Sequence, residues 1–381
     1  MISTFNVKKS HIAFVAFLLI FVMDAYSYAF FYEQRLPIGF MGVLLAFLLV
    51  PFFISQRSHG FYGQQAIALL ILFPIIFAYI SGKGNVSDIY FWFKALSFFV
   101  MGYYFVKILY QPASSLDFTV TTTLLFFLCV LIVIYGVEGE NYLRVSDAVI
   151  LFSFYVISSV RSRALYVAIM SVTIMALYLI GSRFGLVSYL VAVSALFFIR
   201  LKFTGRFLLL ALSVPIVFIA YSFLYDQFLL VDNINNNRLL RLIFETDQDT
   251  SLIARLTYHE NAIQIFKQSY LIGDYKYYLD QGSTGEYAHN FLSFWSELGF
   301  LGVLISFLFF YLTSKTLIIS YNEIRNEKRL YGFLFLITVY FIFAFLLAKS
   351  YTWMPLYFIV GVCFSYLAAS NIKFNKIRSG V

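Results

Sequence analysis

The sequence predicts an all-α fold, a polytopic transmembrane helical bundle of about twelve spans. Three observations carry that expectation. Of the 381 residues 61% are hydrophobic and only 12% charged, too little polar surface to cover a water-soluble globule of that length. Mean hydropathy is +0.84. The apolar residues come in runs of about 17 to 25, the length a helix needs to cross the hydrocarbon. Within the runs polar and apolar residues do not alternate, as they would along barrel strands.

In chain order the runs are 11–31, 37–55, 64–80, 89–109, 118–136, 147–160, 164–180, 184–199, 206–225, 290–314, 330–348 and 352–370. Two of them, 147–160 and 184–199, are short for a bilayer and read as tilted or partly re-entrant segments. Lys8 and Lys9 precede the first run, which lacks a small-residue cleavage site and reads as an uncleaved span. With the N-terminus inside, the inner segments hold roughly three times as many Lys and Arg as the short outer loops, so both termini are expected in the cytoplasm. The loop 315–329 mixes both signs of charge and reads as solvated. Net charge is +8, but the basic residues lie in short loops, where they set orientation; no nucleic acid is implied. Cys129 and Cys363 fall inside apolar runs and read as small core residues.

This organisation divides the chain into spans 1–9 (1–225), a long outer segment (226–289) and spans 10–12 with a cytoplasmic tail (290–381). The outer segment is the place large enough for chemistry. Its stretch Ser251 to Ser269 has Leu252, Leu256, Ile263 and Phe266 at helical spacing and predicts an amphipathic helix. Asp247, Asp249, Thr250 and Ser251 precede it as cap oxygens and dipole-compensating charge. Asp247 and Asp249 also have the spacing of a metal-binding pair, but capping accounts for them. No zinc spacing, phosphate-cradling glycine loop or dinucleotide fingerprint occurs, so no cofactor or metal is expected.

Five basic residues of the segment, Arg238, Arg241, Arg255, Lys267 and Lys276, stand against nine carboxylates, so it is no general basic patch. An individual arginine beside a bilayer can nonetheless fork two donors onto phosphate oxygens, although pairing with a loop carboxylate is its ordinary role. His289 stands where the segment meets the tenth run and can act as acid, base or phosphate donor, or merely cap the span. His259 lies one turn after Arg255; His11 and His59 sit at inner boundaries. Glu297 lies two turns into the tenth run, where a carboxylate is costly unless it faces a cavity or a partner. Asp24 and Lys94 raise the same question.

Several of these residues form motifs. Gly181-Ser182-Arg183-Phe184-Gly185 is a tight turn between two runs. Arg255 and its helix lead to Leu271-Ile272-Gly273. Ala288-His289-Asn290-Phe291-Leu292 is followed by Glu297-Leu298-Gly299-Phe300-Leu301-Gly302. Over residues 170–310 the chain resembles the bacterial O-antigen polymerase and O-antigen ligase superfamily. It departs from that pattern at Tyr270, where the family often has proline, and at Asp274-Tyr275-Lys276, where the family is glycine-rich. The resemblance implies a glycosyltransferase using undecaprenyl-diphosphate-linked oligosaccharide at the outer face of the bacterial inner membrane. It implies Arg183, Arg255, Arg238 and Arg241 as diphosphate-binding residues and Arg255, His289 and Glu297 as catalytic ones, the last two competing as base. The expected partners are the lipid-linked donor, membrane lipids and a polysaccharide chain-length regulator. Polymerase is favoured over ligase by analogy, the chain being short with a modest outer segment. A lipid-linked sugar transporter is the alternative of another class, but the half-to-half repeats it would need are not seen. A structural or sensory membrane protein is a third.

Overall fold

The computed structural model describes residues 71–109, part of 119–132, 142–200, 250–279, 288–324 and 329–378, apart from positions 81 and 161. The described residues form helices and one 3-10 turn, without strands. In chain order they are α1 (Pro74–Ile80), α2 (Val86–Leu109), α3 (Tyr142–Ser159), α4 (Arg163–Ile180), α5 (Arg183–Arg200), α6 (Thr250–Gln268), α7 (Leu292–Glu323), α8 (Arg329–Leu347) and α9 (Met354–Arg378). The expected runs 11–31, 37–55 and 206–225 lie outside the described residues, as do parts of 64–80 and 118–136.

Among the described residues four helices are long and apolar enough to cross a membrane: α2 over Asp88–Val106, α5, α7 and α8. Shorter apolar stretches occur in α3, α4 and α9. The run expected at 147–160 begins five residues earlier, at Tyr142, and so reaches 18 residues. The loop expected at 315–329 is largely helical, because α7 continues to Glu323 with Thr313, Thr316 and Ser320 hydrogen-bonded to carbonyls of the preceding turn.

α9 packs along α2 in parallel. Trp92 near the start of α2 meets Tyr351 and Tyr357, and Phe99 and Tyr103 further along meet Phe364. Two glycines permit the approach: a Cβ at Gly102 would overlap the Phe358 carbonyl, and one at Gly361 the Phe99 carbonyl. Small residues at such crossings let helices gain dispersion contact where lipid supplies no hydrophobic drive. α3, α4 and α5 are tied by buried hydroxyls, Ser153 to Tyr189 at 2.7 Å and Thr173 to Ser153 at 3.0 Å. α8 fills the space between α3, α5 and α7.

α7 is not one straight rod. Gly299 has φ 55 and ψ −137 in its interior, and residues far apart in sequence meet across it. Trp295 Nε1 donates to Ser306 Oγ at 2.8 Å, and the Phe294 and Phe309 rings lie 6.1 Å apart. In a straight helix residues 294 and 309 would be separated by about 22 Å. A short leg, Leu292–Leu298, therefore folds back on a long leg that runs from Phe300 to Glu323.

The bend is built by the segment after α6. Gly273, at φ 76, crosses the backbone of Gly299; Asp274 N donates to Ser296 O at 2.8 Å and Phe300 N to Leu271 O at 3.3 Å. A Cβ on Gly273 would collide with the backbone of Glu297 and Gly299. Gly181 also has positive φ, but a Cβ there meets nothing within 4 Å. Gly181→Ala should therefore cost only the left-handed backbone penalty, about 1–2 kcal/mol. Gly273→Ala should lower the melting temperature of the detergent-solubilised protein by clearly more. Equal drops in the two variants would show that the crossing is not as tight as described.

Candidate active site

The ends of several helices converge where α6 meets the short leg of α7 and the turn between α8 and α9. α6 forms as expected, but its apolar positions divide. Ile263 and Phe266 pack, with buried Ala262, against Ala288, Leu292 and Trp295, whereas Leu256 is exposed. Among the described residues it is mainly the second half of the helix that is docked. The side chain of Leu252 is not described, and Asp247 and Asp249 lie outside the described residues.

The run His289-Asn290-Phe291 is sewn to its surroundings on both sides. Asn290 Nδ2 lies 3.2 Å from His259 Nδ1, joining it to α6, and Asn290 Oδ1 accepts from Leu292 N at 3.0 Å, at the first residue of the short leg. Phe291 N donates to Phe345 O at the end of α8, and Tyr351 N to Ser293 Oγ, both at 3.0 Å. His259, read from sequence as a mere neighbour of Arg255, is thus a contact of the His-Asn pair.

His289 is half-buried, its ring edge-on to Tyr258 at 6.4 Å. Burial, then the positive charges of Arg255 and Lys349, push its pKa down to about 4. At neutral pH the imidazole is therefore uncharged and does not grip phosphate as a cation. Arg255 is exposed on α6, one turn before His259.

Lys349 stands in the short connection between the last two apolar runs. It is buried and paired with Asp147 of α3 at 3.1 Å; the same carboxylate accepts from Trp353 Nε1 at 2.7 Å and from the Tyr340 hydroxyl. Asp147 escaped notice because it sits at the edge of an apolar run rather than within one. Next to it, Ser146 accepts a hydrogen bond from Ser182 Oγ at 3.0 Å. That bond fixes the Gly181-Ser182-Arg183 turn to α3 and so places Arg183, at the first turn of α5, at the same end of the bundle.

Glu297 is wholly buried. Its Oε2 accepts from the Tyr351 hydroxyl at 2.7 Å and from Lys276 N at 3.1 Å, while Oε1 has no hydrogen-bond partner among the described residues. Around it Lys276 pairs with Asp88 at 2.7 Å, the Tyr275 hydroxyl donates to the same carboxylate at 3.0 Å, and Lys83 pairs with Asp274 at 2.7 Å. Glu297 thus faces partners, which was one of the two ways a carboxylate could be tolerated there. Lys94 lies on α2 beside the Phe98 ring. Arg238, Arg241, Asp24, His11 and His59 lie outside the described residues.

Helices of this length and apolarity, with charged and hydrogen-bonded groups gathered at one end of the bundle, define a multi-pass membrane protein with a site at that end. Residues 167–307 match the family model described as O-antigen ligase, which supports membership of the O-antigen ligase and polymerase superfamily, membrane enzymes of glycosyltransferase type. No curated protein matches the chain. Arg183, Arg255, His289 and Glu297 all lie inside the matched segment; Asp147, Lys349 and Tyr351 do not.

Two measurements follow from the charges. Because the pKa of His289 is lowered, its neutral form persists as pH falls from 7 toward about 4, and the acid limb of activity should lie well below the ordinary histidine value of about 6.5. In Lys349→Met, loss of a nearby cation should raise the His289 pKa, read by NMR of labelled imidazole. The same change strands Asp147 and should destabilise the protein by about 3–5 kcal/mol. An unmoved His289 titration in a folded variant would show that Lys349 does not act on it.

Proposed function

We propose that the chain is an O-antigen polymerase, a glycosyltransferase that joins undecaprenyl-diphosphate-linked repeat units at the periplasmic face of a bacterial inner membrane without a metal. Both termini then lie in the cytoplasm, and the 226–289 segment is periplasmic. The observation that supports this reading best is the placement of His289 in the seam between α6 and the bundle, within the electrostatic reach of Arg255 and Lys349.

In the proposed reaction the acceptor hydroxyl gives its proton to a ring nitrogen of His289 as its oxygen attacks the anomeric carbon of the donor. The bond from that carbon to the diphosphate oxygen breaks, and the electron pair leaves with the lipid diphosphate. Arg255 and Arg183, with Arg238 and Arg241 in the same segment, bind the diphosphate and offset the charge that develops on it. Lys349 adds positive potential from beneath, and the imidazolium then passes its proton to solvent. A chain-length regulator is the expected protein partner.

A ligase that transfers the chain onto lipid A core is the second reading, favoured by the description of the matched family. The two differ in the acceptor, so lipopolysaccharide gels separate them. Arg255→Ala or His289→Ala in a strain dependent on this chain should leave core carrying a single repeat unit if the enzyme is a polymerase. Bare core, with polymer stranded on the lipid carrier, would identify a ligase instead. A normal ladder from both variants would remove these residues from the mechanism. Loss should be at least about 100-fold in either variant if the residue acts on the reacting groups.

A further inference from the structure

The segment that joins α6 to α7 carries a feature the proposed chemistry does not use. Tyr270, Leu271 and Ile272 are consecutive and exposed, at 57%, 63% and 55% of their surfaces. Three large apolar side chains in a row on a turn have no reason to face water. They do not stand alone, because the Leu271 carbonyl accepts from Phe300 N at 3.3 Å, at the start of the long leg of α7. That leg exposes Phe300, Leu304 and Phe307 at 56%, 52% and 61%, three or four residues apart and hence on one face of a helix long and apolar enough to cross a membrane. A face of that kind on a membrane-crossing helix meets lipid.

We infer that the Tyr270–Ile272 turn is inserted into the bilayer, continuing the lipid-facing stripe of α7 at the level where headgroups meet acyl chains. The occupant of the patch is membrane lipid. Tyrosine suits that boundary, with its ring among the upper acyl chains and its hydroxyl in the headgroups. Lys267, exposed in the last turn of α6, has the reach to place its ammonium in the headgroup layer above it. The turn is held rigidly by the Gly273–Gly299 crossing and the Lys83–Asp274 and Lys276–Asp88 pairs, so it fixes the height of α6 over the membrane. Arg255 is then presented at the bilayer surface, where the diphosphate of a lipid-linked substrate would lie. The insertion itself stands whichever acceptor the enzyme uses.

The test uses the full chain in liposomes of phosphatidylethanolamine and phosphatidylglycerol, with an environment-sensitive fluorophore on L271C or I272C. E260C, exposed on α6, is the water-facing control, and the parent chain, whose two cysteines are buried, is the labelling blank. Insertion predicts blue-shifted emission at 271 and 272, quenched several-fold more by nitroxide-bearing lipid than at 260 and protected from iodide. Iodide quenching at 271 and 272 equal to that at 260 would place the turn in water and overturn the inference. Blue-shifted emission insensitive to the lipid quencher would also overturn it, since the patch would then be covered by protein, from this chain or a second copy. None of these readouts depends on catalysis, so failure here is distinguishable from failure of the functional assignment.

Discussion

Two carboxylates buried at one end of the bundle govern how everything around them is arranged. Asp147 and Glu297 lie on different helices, yet both take donors from one short turn between α8 and α9: Lys349 and Trp353 serve Asp147, and Tyr351 serves Glu297. A carboxylate withdrawn from water must recover its hydration from fixed donors, and the penalty for losing one exceeds the net gain of making it. The turn therefore has little freedom. With it are fixed the start of α9, the end of α8 and, through Asp147, the register of α3.

The constraint passes to the site through the backbone. The His289-Asn290-Phe291 run is bonded to Phe345 and, through Ser293, to Tyr351, so the imidazole is positioned by the same turn that carries Lys349. Apolar burial and neighbouring cations act in the same direction on a histidine, and together they remove its charge at neutral pH. In the proposed reaction the anionic diphosphate offsets the charge of the neighbouring cations, which raises the basicity of the imidazole as the hydroxyl loses its proton. There the histidine accepts and the arginines attract, and the two roles do not compete for one residue.

Much of the helical content was legible because bilayer thickness imposes a length on each run, and a long apolar run has few alternatives to helix. α2, α4, α5 and α8 begin and end within a few residues of the expected bounds for that reason, and α6 does so because its apolar residues keep helical spacing. The fold in α7 was not legible. Leu298-Gly299-Phe300-Leu301-Gly302 is apolar throughout, and hydropathy cannot distinguish a continuous span from one bent by a backbone crossing. The Glu-Leu-Gly and Leu-Ile-Gly motifs marked the place, and their glycines turn out to be the two that meet. Site residues on the matched segment were visible as charges in motifs. Asp147, Lys349 and Tyr351 were not, because they act through partners roughly 50 to 200 positions away, and no local spacing encodes such a pairing.

The same geometry bears on which of two groups serves as base. A base must come within about 3 Å of the hydroxyl it deprotonates, or reach it through one water. Glu297 has no exposed surface, and both of its described donors converge on a single oxygen. To meet a sugar hydroxyl it would have to be uncovered, which requires the elements packed around it to move, the turn that positions His289 among them. His289 is half-buried, stands at the edge of the seam and needs no such rearrangement. We therefore read Glu297 as a positioning residue: it holds Tyr351 and the 273–276 crossing in place, so that the seam presents His289 and Arg255 to the substrate together.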